Sequence, residues 1–139
     1  MGKTISDVMT QNPSTIESNQ TIVDAAKLMK TEDVGLVPIV EGQKLIGTIT
    51  DRDIAIKVVA EGKDPQSVKV RDVASTDLVT IDPQEDLDEA LRLMASYQVR
   101  RLPVVEEDGR LVGVLAQADV AREANDKKTG QLVEEISKE

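Results

Sequence analysis

Two aspartates at matching places in the chain are the side chains best placed to do chemistry. Asp53 lies in the stretch LIGTITDRDIA (45–55), and Asp119 lies in LVGVLAQADVA (111–121). A carboxylate accepts hydrogen bonds from hydroxyl groups; it can also act as a general acid or base, or hold Mg²⁺ together with bound phosphates. Each aspartate opens a separate helix and lacks a paired acid by sequence, so the pattern favours binding and predicts that the chain is not an enzyme.

The composition excludes several other kinds of chemistry. The 139 residues include no Cys and no His, which removes thiol nucleophiles, imidazole bases and the usual ligands of zinc and haem. There is no Phe or Trp to stack on bases, and a net charge of −9 repels nucleic acid and anionic membranes. No apolar run approaches the roughly 20 residues of a membrane span, and no signal peptide is recognisable at the N-terminus. We therefore expect a cytoplasmic protein with no nucleic-acid or membrane partner.

The chain is an internal duplication. Residues 15–41 align with residues 80–106 at a spacing of 65, and 9 of the 27 aligned positions are identical. After a one-residue insertion the spacing becomes 66, and the two stretches that contain the aspartates align. The earlier segment ISDVM (5–9) also matches VRDVA (70–74). Matches over so many positions indicate two copies of one structural unit.

Each copy is predicted to fold as βαββα. A short extended piece (around 15–17 and 80–82) precedes a helix, whose start is marked by Thr21 with Asp24 in one copy and by Asp86 with Glu89 in the other. Apolar residues give each helix one buried face, at 22, 25, 26 and 29 and at 87, 90, 91 and 94. Two apolar runs then predict a strand pair, at 36–40 and 45–50 and at 102–105 and 111–116. A second helix is expected over 51–60 and over 117–125.

These elements predict an α+β protein with a first unit at 5–60, a linker at 61–69, a second unit at 70–125 and a polar C-terminal tail at 126–139. A unit of about 55 residues is marginal alone, because so small a fold buries little of its surface. We therefore expect the two copies to pack through their sheets around a pseudo-twofold axis. Such packing creates two equivalent clefts of the kind that ligands occupy.

The motifs GLVPIV with LIGTITDRDI and VRRLPVV with LVGVLAQADV resemble those of a pair of cystathionine-β-synthase-type (CBS) domains, the arrangement called a Bateman module. The resemblance covers about residues 5–125 and is specific for the family, though not for any one ligand. It implies a regulatory module, similar to stand-alone bacterial CBS-pair proteins, that binds AMP, ADP, ATP or S-adenosylmethionine in the clefts and signals occupancy to a partner protein. It also implies a homodimer, and no cofactor beyond the regulatory ligand.

The resemblance further implies which residues hold the ligand. A hydroxyl residue that contacts phosphate is followed three positions later by an Asp that binds ribose; these are Thr50 and Asp53, while the second copy has Ala116 and Asp119. The adenine is expected against the first extended piece and the segment before the Pro of the opposite copy. Arg101 matches a position where some members carry a phosphate-contacting Arg, and Arg100 is a candidate by proximity alone. The remaining candidates are Ile16, Gly35, Val37, Pro38, Ile81, Val99 and Pro103.

Simpler interpretations stay open at this stage. Thr50 and Asp53 also form the pattern of a helix capping box, which needs no ligand, although Ala116 cannot cap and Asp119 is still present. The clefts can also be empty, which would make the chain a structural or interaction protein. The complete motif at Asp53 and the arginine at position 101 point to different clefts, so the sequence does not rank the two.

Overall fold

The computed structural model describes residues 3–123 and divides them into two compact α+β units. The first unit contains Asn12–Leu78 and Val105–Val112, and the second contains the chain up to Gln11, Val79–Val104 and the chain from Gly113 on. The α+β fold class is confirmed. The polar tail predicted at 126–139 and the end of the last predicted helix, at 124–125, lie outside the described residues.

The elements follow the predicted βαββα order in the first copy and the order αββα in the second, and each copy is preceded by a short helix. In chain order they are α1 (Ile5–Val8), β1 (Thr10–Gln11), β2 (Ile16–Glu17), α2 (Ile22–Glu32), β3 (Leu36–Glu41), β4 (Lys44–Thr50), α3 (Asp51–Ile54) with a π-helical continuation (Ala55–Val59), α4 (Val70–Val73), α5 (Leu87–Tyr97), β5 (Arg101–Val105), β6 (Leu111–Ala116) and α6, described over 117–123.

The first unit is built on a three-stranded sheet with β3 in the middle. β3 runs parallel to β2, with Ile39 opposite Ile16, and antiparallel to β4, with Val37 opposite Ile49. With no Phe or Trp in the chain, aliphatic side chains and one Met fill the interior. The core consists of Ile16, Ile22, Ala25, Met29, Val37, Ile39, Ile49, Val58, Val70 and Val73.

The segment that precedes each copy pairs with a strand of the other copy. In the second unit, β1 lies antiparallel to β6, with Thr10 opposite Val114, and completes the sheet β1-β6-β5. In the first unit, Ser75, which stands 65 positions after Thr10, exchanges two backbone hydrogen bonds with Thr48, at 2.9 and 3.0 Å. The duplication alone does not predict this exchange, because both copies carry the same pattern wherever the segment pairs.

The short helices are exchanged in the same way. The Ile5 N–H at the start of α1 donates to the Glu85 carbonyl at 2.9 Å, and the Val70 N–H at the start of α4 donates to the Gln20 carbonyl at 2.9 Å. The four residues form two equivalent pairs at the spacing of 65. The extended piece expected at 80–82 makes a single parallel bridge, from Ile81 to Val104, in place of a strand.

The predicted starts of α2 and α5 are both present, but only α2 has a complete capping box. Thr21 accepts from the Asp24 N–H, and Asp24 accepts from the Thr21 N–H at 3.2 Å. Asp86 accepts from the Glu89 N–H at 2.9 Å without the return bond. The Glu89 carboxylate instead accepts hydrogen bonds from Arg92, which hold the pKa of Glu89 below its usual value.

The predicted buried face of the two long helices is correct at most positions. Residues 22, 25 and 29 of α2 and residues 90 and 94 of α5 are buried, and residue 87 is half-buried. Ala26 and Leu91 were predicted to be buried, but both are exposed. The two stand at equivalent positions, so the buried face is narrower than the sequence pattern on both helices, and in α2 Leu28 packs against the core as well.

Candidate functional site

Asp53 lies where β4 ends and α3 begins. The Thr50 hydroxyl accepts a hydrogen bond from the Asp53 N–H at 3.0 Å, and Asp53 Oδ2 accepts one from the Thr50 N–H at 2.9 Å. These two bonds form the capping box that the sequence left as an alternative to ligand binding. Asp53 is 9% exposed, so its carboxylate is buried apart from a small opening to solvent.

Two further side chains reach this carboxylate. Lys57 Nζ, four residues later, lies 3.1 Å from Asp53 Oδ1 and donates to the Val73 carbonyl at 3.2 Å. The Ser75 hydroxyl lies 3.5 Å from both oxygens of Asp53. We call Thr50, Asp53, Lys57 and Ser75 the Asp53 cluster. Its contacts join the β4–α3 junction to residues 70–75.

The start of β3 lies beside this junction. The Gly35 carbonyl accepts from the Asp51 N–H at 2.9 Å, and a Cβ on Gly35 would lie 3.0 Å from an Asp51 carboxylate oxygen. Gly35 is therefore brought next to the Thr50–Asp53 turn. The other candidates of the first unit are buried in its sheet, with Pro38 opposite Thr48; they are Ile16, Val37 and Pro38.

Asp119 occupies the equivalent junction between β6 and α6 in the second unit. Asp119 Oδ2 accepts a long hydrogen bond, 3.4 Å, from the Ala116 N–H, and Asp119 Oδ1 pairs with Arg122 at 3.2 Å. The side chain of Asp119 is 22% exposed and that of Arg122 is 70% exposed. We call Ala116, Asp119 and Arg122 the Asp119 cluster; it keeps one half of the capping box.

The candidates around the start of β5 repeat the arrangement around the start of β3. The Arg100 carbonyl accepts from the Gln117 N–H at 2.7 Å, as the Gly35 carbonyl does from Asp51. The Ile81 N–H donates to the Pro103 carbonyl at 3.1 Å, and Val99 follows α5, where its N–H donates to the Met94 carbonyl at 3.0 Å. Arg100 and Arg101 are exposed, and within residues 3–123 no carboxylate pairs with either guanidinium.

Sequence reasoning missed Lys57 and Ser75. Lys57 had a usable signal, because a lysine four residues after an aspartate on a helix lies on the same face. Ser75 had none, because it is distant in the chain and reaches Asp53 only through the exchanged segment.

A groove in the first unit lies away from the candidate residues, at the far end of the β3–β4 hairpin. Its volume is about 400 Å³, and Arg110 on its wall is paired with Glu106 at 2.6 Å. None of the twelve candidate residues lines this groove. The groove is therefore separate from the candidate site at the repeated carboxylates. The lining residues are Asn12, Pro13, Thr15, Val40, Gly42, Gln43, Arg110, Leu111 and Val112.

The described part of the chain contains no cluster of acidic side chains that could bind a metal ion. Among residues 3–123, no group of three or more Asp or Glu side chains is placed to hold a metal ion. In the same residues, no helix combines the length and the apolar character that crossing a membrane requires.

Two stretches of the chain match a known protein family. Residues 5–60 and 70–126 each match the family described as CBS domain. The chain is 42% identical to the CBS domain-containing protein YhcV of Bacillus subtilis, over 96% of this chain and 94% of YhcV. The crystal structure of CBSX2 in complex with AMP superposes with a TM-score of 0.79 at 26% identity, covering 91% of this chain and 99% of CBSX2. The CBS domain pair of MJ0100, in complex with 5′-methylthioadenosine and S-adenosyl-L-methionine, gives a TM-score of 0.80 at 29% identity, with 91% and 99% covered.

Proposed function

Because this chain belongs to the CBS domain family and carries two CBS domains, we propose that it is a cytoplasmic regulatory module that senses an adenosyl ligand. The ligand is AMP, ADP, ATP or S-adenosylmethionine, and its occupancy is signalled to a partner protein. CBS-pair proteins of YhcV's kind are non-catalytic, and this CBS pair is not an enzyme.

The observation that carries the proposal is the repeated carboxylate at the strand-to-helix junction. Asp53 and Asp119 occupy equivalent junctions, which lie beside the start of β3 and the start of β5. A carboxylate accepts both vicinal hydroxyls of a ribose in charge-assisted bonds, which are roughly twice as strong as neutral ones. CBSX2 and the MJ0100 pair, which share this fold, were crystallised with adenosyl compounds.

The other candidates supply the remaining chemistry of an adenosyl ligand. Aliphatic side chains and backbone hold the adenine, since the chain has no Phe or Trp to stack on it. The exposed guanidinium groups of Arg100 and Arg101 suit a phosphate, because a planar fork of N–H donors matches phosphate oxygens. The Thr50 hydroxyl contacts phosphate on the side of the first copy. The proposed adenine-holding positions are Ile16, Gly35, Val37, Pro38, Ile81, Val99 and Pro103.

Thermal unfolding followed by calorimetry tests the proposal. A ligand that binds only the folded chain, present at 100 times its dissociation constant, adds about 2.7 kcal/mol to the free energy of unfolding. We expect this stabilisation from at least one of AMP, ADP, ATP and S-adenosylmethionine, and none from uridine monophosphate, which has the same ribose and phosphate. The double variant Asp53→Asn with Asp119→Asn should lose the shift. A flat profile across the adenosyl series at several millimolar would refute the proposal.

A second candidate function has one observation in its favour. Asp53 already accepts the capping bond and pairs with Lys57, so the carboxylate has a structural role without any ligand. A CBS pair with empty sites would act as a structural or interaction protein. Native mass spectrometry of the freshly purified chain separates the two functions, because a retained adenosyl compound adds its mass and an empty pair does not.

The chain is further proposed to act as a homodimer, since closed twofold symmetry is the commonest arrangement of soluble homo-oligomers. Four large apolar side chains are exposed in the described residues, at 40–68% of their surface, and can be covered by a second copy. They are Ile56, Val59, Leu91 and Tyr97.

A further inference from the structure

We propose that the groove at the far end of the β3–β4 hairpin binds a small organic carboxylate, whose anionic group contacts Arg110 and Lys44. The groove lies in the first unit, and neither of the repeated aspartates lines it. Its ligand therefore differs from the adenosyl compound of the proposed function, and either ligand can bind without the other.

Two cations at equivalent positions of the two copies meet beside this groove. Lys44 and Arg110 are 66 residues apart, at the spacing of the duplication, and their backbones form an antiparallel bridge. Two backbone hydrogen bonds between their neighbours, of 3.0 and 3.1 Å, hold the bridge in place. Side chains directly opposite each other lie on one face of a strand pair, where like charges are destabilising. The fold alone gains nothing from such a pair, whereas a bound anion is stabilised by it.

The carboxylates around the two cations leave them accessible to another anion. Arg110 pairs with Glu106 at 2.6 Å, but the two side chains are 45% and 41% exposed, and so exposed a pair contributes little free energy. Glu41 lies opposite Lys44 in the hairpin, and its carboxylate accepts from the Ser18 hydroxyl at 3.1 Å. Among residues 3–123, Lys44 forms no ion pair. A carboxylate of a ligand can therefore replace Glu106 at the guanidinium and meet the ammonium of Lys44 as well.

The lining of the groove suits a molecule with one apolar and one polar end. Its volume of about 400 Å³ lies within the range of ligand pockets, roughly 300–1,000 Å³. The apolar lining residues are buried or half-buried; they are Pro13, Val40, Leu111 and Val112. The polar ones are exposed; they are Asn12, Thr15, Gln43 and Arg110. A ligand with an apolar body and one anionic group matches both sets.

A carboxylate fits the local charges better than a phosphate. Arg110 already binds a carboxylate, that of Glu106, in a charge-assisted hydrogen bond. A phosphate monoester carries a charge of about −1.5 to −2 at neutral pH. The carboxylates of Glu41 and Glu106 stand next to the two cations in a chain whose net charge is −9, so they disfavour the second negative charge.

Amide NMR spectra of the full chain, titrated with benzoate, test the proposal. Benzoate should shift the signals of groove residues such as Gln43 and Val112 and leave those of Asp53 and Asp119 in place. Benzamide has the same ring without the charge and should bind about 10- to 150-fold more weakly, because it cannot accept charge-assisted hydrogen bonds. Acetate, which lacks the apolar body, and phenyl phosphate, which carries the second charge, should both bind more weakly than benzoate.

Three variants and a matched control test the residues themselves. Arg110→Gln should weaken benzoate binding by at least about tenfold, and Lys44→Gln should weaken it as well, since each removes one of the two cations. Glu106→Gln should tighten it by up to about fivefold, because it removes the carboxylate that competes for Arg110. Arg92→Gln removes the same charge and a similar exposed pair, with Glu89, in the other unit, and should leave benzoate binding unchanged.

Several results would overturn the proposal. One is the absence of shifts in the groove at about 20 mM benzoate, a concentration at which even a weakly bound fragment is detected. Equal binding of benzamide would reduce the groove to an apolar surface, and tighter binding of phenyl phosphate would assign it to phosphates. Unchanged benzoate binding in both Arg110→Gln and Lys44→Gln would place the anion elsewhere. None of the probes carries an adenosyl group, so these failures are distinct from failure of the proposed function.

Discussion

Thr50 and Thr21 hold the same position at the starts of two helices of one copy. Each hydroxyl accepts a backbone N–H, and an aspartate three residues later returns a bond to the threonine N–H. In the second copy the position of Thr50 is occupied by Ala116, yet Asp119 still reaches back. The chain thus contains both a complete cap and a natural version that lacks the hydroxyl.

We predict that Thr50→Ala lowers the free energy of unfolding by about 0.5–2 kcal/mol, the usual cost of removing a Thr cap. Thr21→Ala is the matched control at a cap without a ligand hypothesis and should cost a similar amount. The reverse change, Ala116→Thr, should raise the free energy of unfolding by a comparable amount. Urea denaturation followed by circular dichroism measures all three. No loss in Thr50→Ala would mean that the capping box contributes nothing to stability.

The contacts that could be predicted from the sequence are those between residues close together in the chain. Thr50 with Asp53 and Thr21 with Asp24 are predictable because both partners lie within one helical turn. The return bond expected from Glu89 is absent because Arg92, also one turn away, takes the carboxylate. Ser75 was beyond prediction, since its contact with Asp53 depends on how the chain is routed and not on its neighbours in sequence.

At the level of the elements, β6 and β4 pair with the segments that the two copies exchange. Each of these strands has a glycine where the exchanged segment comes closest. A Cβ on Gly113 of β6 would meet Met9 and would lie 2.9 Å from the Thr10 carbonyl oxygen. A Cβ on Gly47 of β4, the equivalent residue, would lie 3.1 Å from the Ser75 carbonyl oxygen. The two glycines allow the preceding segment to pair closely with each strand.

We predict that Gly113→Ala destabilises the chain by about 1–3 kcal/mol, the usual cost of overpacking, since the backbone oxygen of Thr10 cannot move aside without losing its pairing. Gly47→Ala should be milder, because its nearest contact is longer. Thermal unfolding gives the order of the two variants. The explanation by close approach is wrong if Gly47→Ala is the more damaging change or if both are neutral.

The order of elements was predictable from the duplication, while their partners were not. Periodicity and turn residues place two long helices and four main strands correctly in the sequence. The exchange of α1 with α4 and of β1 with Ser75 could not be predicted, because a repeated pattern pairs equally well with its own copy or with the other. The exposed Leu91 shows a similar limit: an apolar residue at the edge of a helical stripe is buried only if something covers it.

At the scale of the whole molecule, the exposed apolar side chains and the high charge make opposing contributions to association. A net charge of −9 repels a second copy, whereas burial of apolar surface favours contact. Val23, Leu28 and Leu93 are apolar residues of the two long helices that lie outside the apolar stripe, and all three are half-buried. The more exposed Leu91 and Val59 are therefore better placed to meet a partner.

We predict that light scattering gives about twice the 15.1 kDa mass of one chain at tens of micromolar concentration. Leu91→Asp should shift the equilibrium toward the monomer, because it places a charge on a surface that the dimer would bury. Ser96→Asp, on an exposed position of the same helix, is the matched control and should not. A 15.1 kDa mass for the unaltered chain would rule out the dimer.

The exchanged segments also bear on ancestry. In a half-length ancestor that encoded one copy alone, the exchange seen here would require two chains, each pairing its leading segment with a strand of the other. Gene duplication and fusion of such a pair would preserve this pairing within one chain. Fusion also ended the constraint that a mutation changes both halves at once. Differences such as Thr50 against Ala116, and Lys57 against Glu123, could accumulate only after that event, when each half began to evolve separately.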